Sequence, residues 1–196
     1  MTRAFLVLVL ILNLAACKQE TAQDVAPVAL TAEAVGHFCQ MDLLEHPGPK
    51  AQVHLEGLPG RPLYFSQVRD GIAYTRMPEQ SYPILAFYVN DMGAAGASWD
   101  DPGARNWILA DQAWFVLDSR REGGMGAPEM VPFREREAAL AFAAREGGHV
   151  VRLHEISDDM VLAPVETGND KPGNEDESDE SYKERLRALS SRPAGG

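Results

Sequence analysis

The chain has 196 residues, with 18 Lys+Arg against 29 Asp+Glu and a formal net charge of −11. That length fits one or two small domains, and the acidic balance excludes nucleic acid as a partner, because phosphate backbones are held by clustered Lys and Arg. The hydrophobic fraction of 45% is ordinary for a buried core, although part of it lies in an N-terminal segment outside the mature fold.

Residues 1–16 read as a secretory signal: Arg3 supplies the positive end, and Phe5 to Leu12 form an unbroken apolar run. The run is too short to cross a hydrocarbon layer ~30 Å thick, which needs about 20 helical residues. The ending Leu14-Ala15-Ala16-Cys17 is similar to the bacterial lipobox, in which the cysteine is acylated and the chain is cut just before it. Several acyl chains hold a protein to a bilayer far better than one. Lys18, and not an aspartate, follows the cysteine, which points to the periplasmic side of the outer membrane rather than the inner membrane. Residues 17–34, rich in Ala, Gln and Thr, predict a lipid-anchored tether. Of the two cysteines, Cys17 is then consumed by lipid, and Cys39 stands alone in an oxidising compartment where an unpaired thiol is a liability.

The α+β core predicted over residues 35–163 repeats itself. In the first unit (35–98), Gln52 to Leu55 alternates as a strand, Gly57-Leu58-Pro59-Gly60 is turn material, and Pro62 to Phe65 is a second strand. Ser66 is placed to cap a helix running to about Arg76, and Ile84 to Val89 forms a third strand. In the second unit (99–163), Trp114 to Leu117 and Met130 to Phe133 are strands flanking a Gly-rich connection. Arg134 to Glu146 is a helix stopped by Gly147-Gly148, and Val150 to His154 closes the unit. Phe65 and Phe133 hold equivalent places, each ending a strand just before a helix, so two ββαβ units are expected. Residues 164–196 carry eight acidic side chains against five basic ones and few aromatics, a composition that predicts a disordered acidic tail.

Cys39-Gln40-Met41 is the sharpest chemical feature. Thiolate and thioether are soft donors that together select Cu(I) over hard ions such as Mg²⁺ or Ca²⁺. If the segment is extended, the i, i+2 spacing puts both sulfurs on one side. His37 and His46 are borderline donors nearby, and Met125 adds a thioether from the loop Gly123-Gly124-Met125-Gly126. Zinc is a poorer match because it prefers several Cys or His ligands. The opposing reading is that a lone Cys is a small inert hydrophobe and that Met41 packs in the core, as Met77, Met92, Met130 and Met160 are expected to do. His54, His149 and His154 fall in predicted strands and read as structural or surface histidines. Trp99, Trp107 and Trp114 read as packing. No Gly-x-Ser-x-Gly, phosphate loop or His-Glu-x-x-His is present, so the chain does not read as an enzyme.

The string from His37 to Pro49, with Gln52-Val-His-Leu, Tyr88-Val-Asn-Asp-Met-Gly93 and Gly124-Met125-Gly126 through Val131-Pro132-Phe133, resembles the NosL family of nitrous oxide reductase accessory lipoproteins. The resemblance spans nearly the whole predicted core. It implies a fold of two ββαβ units similar to organomercurial lyase and a Cu(I) chaperone serving the copper–sulfide cluster of nitrous oxide reductase. It also implies docking on the NosDFY transporter complex. Cys39 and Met41 match that family's Cys-x-Met pattern, with Met125 and a histidine, His37 or His46, as further candidates. Many relatives carry a second cysteine three positions upstream, where this chain has Gly36. Copper is therefore expected to be completed by Met, His, solvent or a second chain, the last giving a copper-bridged homodimer. A metal-free scaffold that merely docks the transporter or the reductase is the alternative. A carbon–mercury lyase is disfavoured because Cys39 has no thiol partner.

Overall fold

The computed structural model describes residues 22–164 together with Lys183, Glu184 and Arg187. The expected signal segment, the lipidation residue Cys17 and nearly all of the acidic tail lie outside the described residues. Among the described residues no helix is long and apolar enough to cross a membrane.

Strands β1 (Ala51–Leu55) and β2 (Leu63–Phe65) lead into helix α1 (Val68–Arg76) and strand β3 (Ile84–Asn90), followed by a short strand β4 (Trp107–Leu109). Strands β5 (Trp114–Leu117) and β6 (Val131–Phe133) then lead into α2 (Arg136–Glu146), β7 (His149–Arg152) and a short α3 (Asp158–Leu162). The two sheets run β2-β1-β3-β4 and β6-β5-β7, with every pairing antiparallel. The expected ββαβ unit is therefore present twice with the same strand order. The register confirms the equivalence of the two phenylalanines, since Ala51 faces Phe65 and Trp114 faces Phe133, each at the start of its strand.

β1 is buried along its whole length, which an alternating strand achieves only if both faces of the sheet are covered. Ala51, Val53 and Leu55 pack with Val68 and Ile72 of α1, and the same core takes in Phe115, Leu117, Met130, Ile156 and Val161 from the second half. On the opposite face, Leu30 and Ala34 bury with Leu43 and Trp107, with Tyr64 and Tyr88 against them. Val28 exchanges two hydrogen bonds with the side-chain amide of Gln52, donating to Oε1 at 2.9 Å and accepting from Nε2 at 3.1 Å. Gln23 donates to the Leu55 carbonyl at 2.8 Å and accepts from Gly57 N–H at 2.9 Å. The segment expected to be tether is thus strapped to the sheet from Gln23 onward, because it covers apolar and amide groups that would otherwise face water.

Further corrections follow from pairing partners distant in sequence. Trp107 belongs to β4, hydrogen-bonded to β3 through the pair Asn90 and Trp107, so the first sheet extends beyond residue 98. Ser66 is buried but does not cap α1, whose N-cap residue is Gln67. α2 begins at Arg136 and not at Arg134. It ends on Gly147 at φ +80, and a Cβ on the next residue, Gly148, would collide with the Leu117 carbonyl. His154 sits in an exposed 3-10 turn after β7, whereas His54 is wholly buried in β1.

Candidate metal centre

Cys39 lies in a tight turn and not in an extended segment. Val35 and Asp42 form an antiparallel bridge, Gly36 N–H donates to the Met41 carbonyl at 3.0 Å, and Gln40 N–H donates to the Gly36 carbonyl at 2.8 Å. Gln40 adopts a left-handed φ of +55 to close it, and its side-chain amide donates to the His37 carbonyl at 2.7 Å. The turn is docked on the edge of β2 by His37 N–H, which donates to the Tyr64 carbonyl at 2.6 Å. A Cβ built on Gly36 would collide with the Cys39 sulfur, so the glycine provides the room that half-buried Cys39 uses. The expectation that Cys39 and Met41 share one side of an extended strand fails here, because the left-handed Gln40 turns the chain between them.

The structure instead brings Cys39 to Met125. Both line a cavity of about 320 Å³, together with Phe38, Gln67, Arg69 and Asp70. Met125 rides on a small turn in which Glu122 bridges Pro128, Gly123 N–H donates to the Ala127 carbonyl at 2.8 Å, and Gly126 takes φ +76. Met41 is not part of the cavity lining and stands exposed, as does Met125 at 45%.

His46 is tied to the same turn. Its Nδ1 lies 3.0 Å from the Gly124 carbonyl. A carbonyl only accepts, so Nδ1 carries a proton, and in the neutral ring Nε2 keeps its lone pair. Nε2 is buried and has no hydrogen-bond partner. A backbone carbonyl on one ring nitrogen and a bare second nitrogen is the arrangement that fixes the tautomer and orientation of metal-binding histidines. His37 is placed differently. Its ring packs edge-on against Phe65 and Tyr74, with centroids 5.7 and 5.3 Å away, and it joins an aromatic cluster with Phe38.

Beneath these residues lies a buried polar layer that sequence reasoning missed. Lys50 Nζ donates to the carbonyls of His46, Pro47 and Gly48 at 2.8, 3.1 and 2.6 Å, closing the chain around its own amine. Burial lowers its pKa to about 8, while the charges of Glu129 and Cys39 favour the ammonium. Glu129 is fully buried below the Met125 turn, and burial raises its pKa to about 8 against the pull of the Met130, Arg69 and Val68 amides. Burial likewise raises the pKa of Asp70, opposed by its hydrogen bond from Gln67 and the charge of Arg69. The one signal in the sequence was the Gly123-Gly124 pair. A Cβ on Gly124 would stand 2.7 Å from the His46 Cβ, and both positions admit no larger residue.

The Cys39 thiol and the Met125 thioether line one cavity from separate loops, while the His46 imidazole, tied to the Gly124 carbonyl beside Met125, lines another. Such a donor set suits a soft monovalent ion and offers little to a hard one. Among the described residues no group of three His, Cys, Asp or Glu exists that could hold a metal, which leaves no closed zinc site there.

The NosL family model matches residues 27–161. The chain is 60% identical over 183 residues to the copper-binding lipoprotein NosL of Achromobacter cycloclastes, covering 93% of this chain and 92% of that protein. It is 31% identical over 145 residues to the copper-binding lipoprotein NosL of Stutzerimonas stutzeri, covering 74% and 73%. Among solved structures, the crystal structure of the copper chaperone NosL from Shewanella denitrificans superposes with a TM-score of 0.61 at 30% identity, covering 67% of this chain and 95% of that one.

Proposed function

The chain belongs to the NosL family, and from that membership we propose that it is a Cu(I) metallochaperone and not an enzyme. It would carry copper for the copper–sulfide cluster of nitrous oxide reductase. Relatives named as copper-binding lipoproteins and as a copper chaperone support the reading. The observation that carries it is the cavity that Cys39 and Met125 share; His46, whose Nε2 is bare, is tied to the same Met125 turn. Cys39 thiolate is the anchoring ligand, with the Met125 thioether and His46 Nε2 completing a low-coordinate shell. Met41, exposed on the same turn, is the donor placed to receive or release the ion. His37 serves the aromatic cluster rather than the metal.

Cargo release proceeds by ligand exchange. A partner's sulfur or imidazole enters the open shell and displaces the thioethers one at a time, so Cu⁺ is never free. Val35, Phe38, Met41, Leu44 and Met125 are all exposed apolar side chains, and they give an incoming partner a dry surface around the exchange. The nitrous oxide reductase and the NosDFY transporter complex are the partners this reading assigns. Acylated Cys17 would keep the protein on the periplasmic face of the outer membrane. A copper-bridged homodimer would form only where a second chain's Cys39 takes the place of Met125 or His46 in the shell, and it would hold one ion per two chains.

An anaerobic Cu(I) titration of the chain lacking the lipid, competed against a chelator, tests the proposal. Tight one-to-one binding is expected, weakened by about 100-fold or more in Cys39→Ser and by about 10–100-fold in His46→Gln. Binding indifferent to Cys39→Ser would sink the copper site and bring forward the metal-free scaffold, which predicts reductase with normal copper content when Cys39 and Met41 are both replaced.

A further inference from the structure

Gln67 occupies the N-cap position of α1 without capping it, since its side chain makes no hydrogen bond to the helix's own first amides. Glutamine is not among the residues favoured there, and the first amides are satisfied from elsewhere in the chain. Glu129 accepts from Val68 N–H and Arg69 N–H, each at 3.2 Å, and from Met130 N–H at 2.8 Å. The buried Gln67 amide is thereby released for the Met125 turn. Its Nε2 donates to Asp70 Oδ1 at 2.9 Å, which fixes the amide orientation and turns Oε1 toward Met125 N–H, 3.2 Å away. The peptide joining Gly124 to Met125 is consequently gripped on both edges, its carbonyl by His46 and its N–H by Gln67. Gly123 seals the grip. A Cβ there would stand 2.6 Å from both Gln67 Oε1 and Glu129 Oε2.

Resting on the copper reading above, we infer that Gln67 is a positioning residue of the copper site. It touches no metal. It holds the Gly124–Met125 peptide so that the Met125 thioether is presented to the cavity it shares with Cys39.

The test compares Cu(I) affinity, by chelator competition, in Gln67→Met, Gly123→Ala, Met125→Ala and the Gln67→Met/Met125→Ala double variant. Exchange of the Met125 amide proton is followed alongside. Gln67→Met is expected to accelerate that exchange and to weaken binding by about 10–100-fold, as loss of an orienting partner does. Gly123→Ala is expected to do the same by steric displacement with Gln67 intact, so a folding defect confined to Gln67→Met does not decide the matter. The double variant is expected to bind little worse than Met125→Ala, because both changes act on one ligand. Wild-type affinity in Gln67→Met beside a weakened Met125→Ala overturns this inference alone, as does a loss that adds in full. Wild-type affinity in Met125→Ala removes the copper reading's thioether and this inference with it.

Discussion

Glu129 and Lys50 are buried ionisable groups with opposite demands on the folded state. Glu129 forms no ion pair among the described residues, and burial raises its pKa to about 8. Between the ordinary carboxylate range and about 8, the folded chain therefore holds a proton that the unfolded chain has released, and stability falls as pH rises through that window. Lys50 is lowered to about 8 by burial, so above that value the unfolded chain holds the extra proton and stability recovers toward the ordinary lysine range. In a series of melting temperatures against pH, Glu129→Gln is expected to flatten the fall between about pH 5 and 8 relative to the unaltered chain. A slope unchanged by the substitution would show that Glu129 does not take up the proton. The same two residues mark the limit of sequence reading at this scale. Cys39, Met41 and Met125 stand out by their chemistry, whereas His37 and His46 are equal candidates until the fold separates them. Glu129 and Lys50 look like any surface charge until the fold brings α1 against residue 129, sixty-odd positions away.

At the scale of elements, α1 is set against β1 by the absence of a side chain. A Cβ at Gly71 would stand 2.7 Å from the Ala51 Cβ and 3.1 Å from the Phe87 ring. Two effects compete in Gly71→Ala. Helix propensity gains about 1 kcal/mol, whereas overpacking a filled core costs about 1–3 kcal/mol. The obstructing atoms include another Cβ fixed to its backbone, which cannot swing aside, so a lowered melting temperature is expected. A raised one would mean that the helix can lift from the sheet without loss. The repeated ββαβ units were legible because each strand–helix junction ends on Phe65 or Phe133 in the same register. β4 was not. Three residues, Trp107 to Leu109, are too few to display a period, and their pairing depends on Asn90, whose side chain donates to the Asn106 carbonyl at 2.8 Å. Ser66 does not cap the helix for a related reason: the first amides of α1 are satisfied by Glu129, just ahead of β6, and not by the local sequence.

For the molecule as a whole, one core is shared by both repeats, with Phe65, Val68 and Ile72 meeting Phe115, Leu117 and Met130. The Cys39 and Met125 turns sit on that joint body. The strap across the outer face of the first sheet sets something else. With Cys17 acylated, as the sequence leads one to expect, only residues 18–22 separate the lipid from Gln23. Six Cα steps span at most about 22 Å. Gln23 is pinned beside Leu55 and Gly57, at the far end of β1 from Ala51, Phe65 and the Cys39 turn, roughly 14 Å along the strand. An acylated Cys17 would thus moor the protein near the Leu55 end of β1, with the mouth lined by Cys39 and Met125 toward the other end of that strand. A mooring of that kind concentrates the mouth in a thin shell above the bilayer, where membrane-held acceptors meet it at high effective concentration. Inserting about twenty Gly/Ser residues after Lys18 would thicken that shell. Copper transfer to an acceptor in the same vesicle should slow while the affinity for Cu(I) stays unchanged, and transfer undiminished by the longer leash would mean that proximity to the membrane plays no part.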